Sequence, residues 1–180
     1  IRSKKRSFNF RHHKGITIFL SEALDVSIND VETFVLGGHG DDMVPLVNYP
    51  TNGGIPLLDY IKIKNVPSST IKQIVDRTRM GGGELVKLLK RVSAFYAPAS
   101  SAIQMAEAYL LNQKKLLPCA AFLNGQYGLK NMYMGVPTII GNKGIEKIIE
   151  VKLSANEKSM LKKSVKSVQG LVNAVEKILK

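Results

Sequence analysis

The sequence predicts an α+β fold in which mostly antiparallel strands pack against long helices. Its segments follow the order helix, strands, long helix, helix, strands, long helix, and this grouping differs from the strict alternation of a parallel βαβ fold. No G-x-G-x-x-G turn and no P-loop occurs, so no nucleotide-binding half is expected. The 180 residues, 44% of them hydrophobic, are enough for one domain with a buried core.

The first third of the chain predicts one helix followed by short extended segments. Residues 1–15 are expected to be irregular, and residues 16–25 have the pattern of a helix end. Residues 33–36 predict a buried strand that glycines 37 and 38 terminate, and residues 43–47 predict a second one. The Pro, Asn and Gly content of residues 48–54 predicts a loop, and residues 55–63 predict further extended structure.

The middle of the chain predicts two helices. The first spans 68–91, with Ser68 or Ser69 as its N-cap and apolar residues at three- and four-residue spacing. Three glycines at 81–83 interrupt this pattern. They indicate a kink, a close approach to a ligand or partner chain, or a simple turn between two helices. The second helix is predicted at 98–112, where a proline stands at the start.

The last third predicts a hairpin, another strand and a long helix. Strands are expected at 115–123 and 132–141, joined by residues 124–131, and again at 144–153. Ser154 and Glu157 form a capping box that starts the final helix. Its apolar stripe consists of Met160, Leu161, Val165, Val168, Val172, Val175 and Leu179.

The composition limits the classes of partner. The net charge of +12 comes mainly from the two ends, since residues 1–15 hold six Arg or Lys and no acid. A solvated tail is the favoured interpretation, because no recognisable nucleic-acid-binding module surrounds these charges. No stretch approaches 18 apolar residues, so no membrane span is expected. The single cysteine, Cys119, excludes an internal disulfide and a cysteine-cluster zinc site, and no metal site is predicted.

The segment "FVLGGHGDDMVPL" carries the main candidate for chemistry. His39 stands between glycines at the end of a predicted strand, where it can face a cleft. Histidine is the side chain whose ordinary pKa allows proton exchange near neutral pH. Two interpretations stay open on the spacing alone. His39 is either a catalytic acid–base group or a turn histidine whose ring bonds Asp41 or Asp42.

Several segments together resemble the malate and lactate dehydrogenases, most closely the malate dehydrogenases of the lactate-dehydrogenase-like group. They are "SEALDVSINDVETFVLGGHGDDMVPL", "RTRMGGGELVKLLK", "SAFYAPASSAIQMAEAYL", "NGQYGLKNMYMGVPTIIG" and "GIEKIIEVKLSANEKSMLKKSV", in the order of the family. The resemblance implies that residues 16–180 form the C-terminal, substrate-binding domain of that family. It implies an α+β fold of that kind for them, with residues 1–15 a basic segment unlike the family.

This resemblance implies a reaction and a set of site residues. Malate dehydrogenases transfer hydride between C2 of malate and NAD to form oxaloacetate, and His39 would take the malate hydroxyl proton. Supporting places in the substrate pocket are implied for Gly38, Gly40, Asn48, Ser93 and Ala94. In the family NAD is held by an N-terminal Rossmann domain that is absent from this sequence. No NAD-binding residue is therefore predicted here, and the chain alone is not expected to bind NAD.

The resemblance also sets expectations for partners and location. Malate and oxaloacetate are the implied substrates. The chain is expected to form a homo-oligomer or to join a separate Rossmann domain, with no nucleic acid or membrane partner. A cytoplasmic location is expected, with the mitochondrial matrix as the alternative.

Two positions depart from the family pattern. Just upstream of "FLSEALDVS" the family has an aspartate that orients the histidine and, three residues later, an arginine that pairs with the substrate carboxylate. Aligned without gaps, these positions are His12 and Gly15. The chain is therefore expected to be a truncated catalytic domain that is inactive alone. A degraded non-enzymatic remnant and a basic binding protein remain the alternatives.

Overall fold

The structure, a computed structural model, describes residues 14–90 and 95–179. Within them, all strand pairings are antiparallel and form three small sheets, as the α+β prediction requires. In chain order the elements are α1 (Lys14–Leu24), β1 (Val31–Glu32), β2 (Val35–Leu36), β3 (Val44–Pro45), β4 (Thr51–Asn52), β5 (Ile55–Pro56), α2 (Leu57–Ile63), α3 (Ser68–Leu89), α4 (Tyr96–Leu110), β6 (Lys115–Asn124), β7 (Lys130–Gly141), β8 (Gly144–Ile148) and α5 (Ala155–Ile178).

The first helix is confirmed, with an earlier start than the predicted boundary. Lys14 and Gly15, expected to be irregular, already belong to α1. The buried apolar side chains of α1 are Ile16, Leu20 and Leu24, at the four-residue spacing that places them on one helix face. They pack in a cluster with α2 and α3. The predicted irregular segment 1–13, which includes His12, lies outside the described residues.

The extended prediction for residues 55–63 is wrong beyond Pro56, because Leu57–Ile63 form helix α2. Leu57 and Ile61 are the two buried side chains, and their spacing of four residues fits a helix rather than a strand. The predicted strand at 33–36 is also shorter than expected. Only Val35 and Leu36 are in strand β2, and β1 precedes them at Val31–Glu32.

Helix α3 runs without interruption through the three glycines, so a helix–helix turn at 81–83 is wrong. A Cβ added to Gly81 would lie 3.8 Å from the Phe19 ring, which places the close approach between α3 and α1. The other two glycines face open space. The N-cap position is Pro67, with no side-chain cap hydrogen bond, rather than a serine.

The main core lies between the β6–β7–β8 sheet and α5. Strand β6 buries alternate residues, and Cys119 is among them. The third strand ends at Ile148 instead of reaching residue 153, because the chain then leaves the sheet as irregular structure. The core cluster includes Leu36, Val44, Leu46, Leu123, Met134, Val136 and Leu161.

Helix α5 begins with the predicted capping box. Ser154 Oγ accepts from the backbone N–H of Glu157, and the Glu157 carboxylate accepts from the backbone N–H of Ser154. Only the first half of the apolar stripe packs on the core, where Leu161 is buried. Val172, Val175 and Leu179 are exposed. None of the described helices is long and apolar enough to cross a bilayer.

Candidate active site

His39 lies on the tight connection between β2 and β3, which pair with each other in antiparallel register. The glycines on this connection are required by its backbone. Gly37 has φ +95° and Gly40 has φ +112°, conformations that residues with a side chain rarely adopt. The turn presents His39 to solvent as an exposed side chain. We refer to residues 37–48 as the His39 loop.

The base of the His39 loop is fastened to strand β7. Gly37 and Gly135 exchange two backbone hydrogen bonds, both 2.9 Å long. A Cβ on Gly135 would stand 2.7 Å from the Gly37 carbonyl oxygen, so a side chain there would force the two backbones apart. A residue without a side chain at position 135 therefore allows the histidine turn to sit directly on the main sheet.

Helix α5 contacts the turn from the other side. Ser164, which is completely buried, accepts a hydrogen bond from the Gly38 N–H through its Oγ at 2.8 Å. A Cβ on Gly37 would lie 2.6 Å from the same oxygen, and one on Gly38 would lie 2.7 Å from Val168 Cγ2. The two glycines before His39 thus make room for α5 as well as for the turn.

Arg79 of α3 reaches the far side of the His39 loop. Its Nε donates to the Asp41 carbonyl oxygen at 2.6 Å, and its Nη2 lies 4.0 Å from Asp42 Oδ1. Among the described residues, no hydrogen bond joins the His39 ring to either aspartate. The interpretation of His39 as a turn histidine bonded by Asp41 or Asp42 is therefore not what the structure shows.

The predicted pocket residues fall into three groups. Gly38 and Gly40 flank His39 and shape its turn. Asn48 lies at the other end of the loop, where its Nδ2 donates to Glu157 Oε2 at 3.4 Å, so part of its amide is held by α5. Ser93 and Ala94 lie outside the described residues.

Gly15 lies in the first turn of α1, against α3. A Cβ there would meet Thr78 Cγ2 at 3.7 Å and the Phe19 ring at 3.9 Å, both ordinary contact distances. A side chain can therefore begin at this position without displacing its neighbours. Arg79 follows Thr78 on α3 and contacts the His39 loop. Helix α3 therefore links the Gly15 position to that loop.

The described residues do not fit a dinucleotide or a metal ion. Every strand pair is antiparallel, and no strand leads through a glycine-rich turn into a helix, the arrangement that holds a pyrophosphate. The part of the chain in view contains no cluster of three His, Cys, Asp or Glu side chains suited to a metal. Two open cavities, of about 330 and 610 Å³, lie at α1–α3 and beside α2, away from His39.

Three residues of the loop's surroundings were not identified from the sequence as site residues. Glu157 was predicted only as a helix cap, and Arg79 and Ser164 carried no local signal. Their contacts with the loop join residues 38 to 126 positions apart, which no spacing rule reveals.

A family model for the lactate/malate dehydrogenase alpha/beta C-terminal domain matches residues 13–179. The chain belongs to the lactate/malate dehydrogenase family. It corresponds to the C-terminal domain of these enzymes, and the fold predicted from the resemblance is confirmed.

Solved structures of this family superimpose closely on the domain. Malate dehydrogenase from Cryptosporidium parvum is 47% identical with a TM-score of 0.89, over 92% of this chain and 52% of that one. Lactate dehydrogenase from Eimeria maxima, solved with NADH and oxamate, is 42% identical with a TM-score of 0.87, over 92% and 51%. Malate dehydrogenase from Salinibacter ruber is 43% identical with a TM-score of 0.82, over 91% and 52%. This chain thus spans about half the length of these relatives.

Proposed function

We propose that this chain supplies the substrate-binding half of an NAD-dependent malate dehydrogenase, with His39 as the group that takes the proton of the substrate hydroxyl. The observation that carries the proposal is the exposed His39, held on a glycine turn that the main sheet, α3 and α5 all contact. A neutral imidazole in such a place can accept a proton during alcohol oxidation and return it to the carbonyl oxygen in the reverse direction.

In this proposal NAD is bound by the part of the relatives that lies outside this domain. The described residues do not form a site for it, so the nicotinamide cofactor would be held by a Rossmann domain. The contribution of this chain is then to orient the hydroxy acid and to move its proton at His39. The dehydrogenase domain by itself is expected to show no turnover.

Malate is proposed as the substrate, and lactate is the second candidate. The sequence segments resemble the malate enzymes of the lactate-dehydrogenase-like group, and malate dehydrogenase from Cryptosporidium parvum is 47% identical. Lactate dehydrogenases are also similar, at 42% identity for the Eimeria maxima enzyme, so the domain alone fits either 2-hydroxy acid. The two candidates differ in one carboxylate, and the discriminating measurement is the ratio of kcat/KM for oxaloacetate to that for pyruvate.

The test is a hybrid that joins this domain to a Rossmann domain of the family, with His12→Asp and Gly15→Arg introduced together. The aspartate would orient His39, and the guanidinium would hold the substrate carboxylate in two contacts. Because the two groups act together with His39, each single change should recover little activity, whereas the double change should raise kcat/KM by several orders of magnitude. His39→Asn in the repaired hybrid should remove that gain.

Gly170→Arg is a matched control, since it adds the same side chain at an exposed, open position of α5. It should leave the rate of the unrepaired hybrid unchanged. An unrepaired hybrid with ordinary dehydrogenase activity, or a repaired one that is indifferent to His39→Asn, would contradict the proposal. Faster turnover with pyruvate than with oxaloacetate would favour the lactate candidate.

A further inference from the structure

Helix α5 holds both ends of the His39 loop through its two buried polar side chains. Glu157 is 1% exposed and Ser164 is fully buried, on the face of α5 that also buries Leu161. Ser164 Oγ accepts from the Gly38 N–H, one residue before His39. Glu157 Oε1 accepts from the Val47 N–H at 3.3 Å, at the end of the same loop.

Helix capping alone does not account for the placement of Glu157. Its Oε2 completes the capping box with Ser154, while Oε1 points to the Val47 N–H and Asn48 Nδ2 approaches Oε2. One carboxylate therefore joins the start of α5 to the end of the His39 loop. A buried Glu157 carboxylate without these donors would raise the free energy of the folded state. The groups that donate to it are therefore held in place as well.

Around Ser164 there is no room for another group to replace its hydroxyl as the acceptor of the Gly38 N–H. Its oxygen would stand 2.6 Å from a Cβ on Gly37, so the Gly37–Gly38 backbone lies directly on the hydroxyl. Without this acceptor, the Gly38 N–H would be left in a partly buried place with no partner from α5. Neighbouring Cα atoms are held about 3.8 Å apart, so a displacement of Gly38 acts directly on the backbone that carries His39.

We infer that Ser164 and Glu157 are positioning residues, which fix the two ends of the His39 loop and thereby the direction of the His39 ring. The inference goes beyond the proposed function and rests on it only for the role of His39. In enzymes, a misplacement of about 1 Å can cost on the order of 100-fold in rate. Helix α5, which shares no sequence neighbourhood with the histidine, is thus part of the machinery that directs it.

The test uses the 180-residue chain and measures amide hydrogen exchange residue by residue by NMR. Ser164→Ala should speed exchange at Gly38 at least tenfold and increase the mobility of the His39 ring seen in NMR relaxation. Exchange at Val47 should change little. Glu157→Gln should have the reverse pattern, with faster exchange at Val47 and little change at Gly38.

Two control variants separate positioning from general loosening. Ser167→Ala makes the same chemical change on the exposed face of α5 and should leave both amides unchanged. Leu161→Ala removes buried apolar volume one turn before Ser164 and should speed exchange across the core without selecting Gly38. If Ser164→Ala does not fold, Ser164→Cys replaces the oxygen by a larger sulfur that is a weaker acceptor, and it should also speed exchange selectively at Gly38.

The inference is wrong if Gly38 exchanges within twofold of the unmodified chain in Ser164→Ala, or in Ser164→Cys where that is the variant that folds. It is equally wrong if Leu161→Ala accelerates Gly38 as much as the serine variant does. Neither result depends on substrate, so failure of this inference is distinct from failure of the proposed function, which is measured by turnover in the hybrid.

Discussion

Individual glycines decide whether the His39 loop can exist. Gly37 combines a φ of +95° with contacts to both Ser164 and β7, so it is restricted by its backbone and by its surroundings. Gly82, in contrast, has helical geometry in α3 and open space around its Cα. The same residue type is therefore required at one position and dispensable at the other.

Gly37→Ala should lower the free energy of unfolding by about 2–4 kcal/mol, because the new Cβ adds backbone strain and a clash with Ser164. Gly82→Ala is the matched change, and it should raise the free energy of unfolding by about 0.5–1 kcal/mol by reducing the freedom of the unfolded chain. Urea unfolding followed by circular dichroism measures both. Equal effects of the two variants would show that the turn does not constrain position 37.

At the scale of elements, Tyr127 connects the β6–β7 turn to the segment that follows β8. Its hydroxyl donates to the Ile149 carbonyl oxygen at 3.0 Å and accepts from the Val151 N–H at 3.0 Å. Its backbone N–H donates to the Glu150 carboxylate at 2.6 Å. The Ile149 N–H still donates to the Pro137 carbonyl oxygen of β7, and the chain leaves the sheet beyond it, where Glu150 and Val151 bond to the turn instead.

Burial raises the pKa of the Tyr127 hydroxyl above its ordinary value, and the hydrogen bond from Val151 opposes this in part. The folded state holds the hydroxyl proton more tightly than the unfolded state does. The contribution of Tyr127 to the free energy of unfolding is therefore fully present below about pH 10 and is lost as the pH rises through the folded pKa.

Tyr127→Phe should cost about 1–3 kcal/mol of unfolding free energy at pH 8, because the partly buried backbone groups of residues 149 and 151 lose their partner. The variant should also lose less stability than the unmodified chain between pH 9 and 11. Chemical unfolding at a series of pH values measures both effects. Tyr133→Phe, an exposed tyrosine on β7, is the control and should change neither. If the free energies of unfolding of Tyr127→Phe and the unmodified chain changed in parallel with pH, the Tyr127 hydroxyl would not be the group responsible.

On the scale of the whole molecule, the chain exposes apolar side chains along three helices. They lie on α3, on α4 and on the second half of α5, and include Met80, Val86, Tyr96, Ile103, Tyr109, Leu110, Leu171, Val175 and Ile178. Contiguous exposed apolar surface generally marks a place that a partner covers, and these helices are the candidates for such a surface. Coverage by a partner would explain why the apolar stripe of α5 continues beyond the part that packs on the core.

We expect the chain to self-associate through these helices at micromolar concentration. Light scattering should give a mass above that of one chain, and Leu110→Lys with Ile103→Lys should shift it toward the monomer because the charges cannot be buried without cost. Ile63→Lys replaces an equally exposed residue on α2 and should not have this effect. A monomer at high micromolar concentration that binds no apolar dye would contradict the expectation.

Much of the fold was predictable because its signals are local. The alternating pattern of β6, the capping box of Ser154 and the apolar spacing of α1 and α5 each depend on a few neighbouring residues. Residues 57–63 were predicted incorrectly because a short apolar run fits a strand or a helix, and only its packing against α1 and α3 decides between them. The glycines at 81–83 left a helix–helix turn open for a similar reason, since the packing of α3 against α1 outweighs their low helix propensity.

The sequence by itself determined the family, the α+β class and the histidine turn, because glycines with positive φ and a histidine between them leave a local pattern. The tertiary structure alone decided what holds that turn. Gly135, Arg79, Ser164 and Glu157 come from three distant elements, and their hydrogen bonds to the loop exist only once β7, α3 and α5 have packed. Hydrogen bonds between residues far apart in sequence carry no periodicity, so no pattern along the chain predicts them.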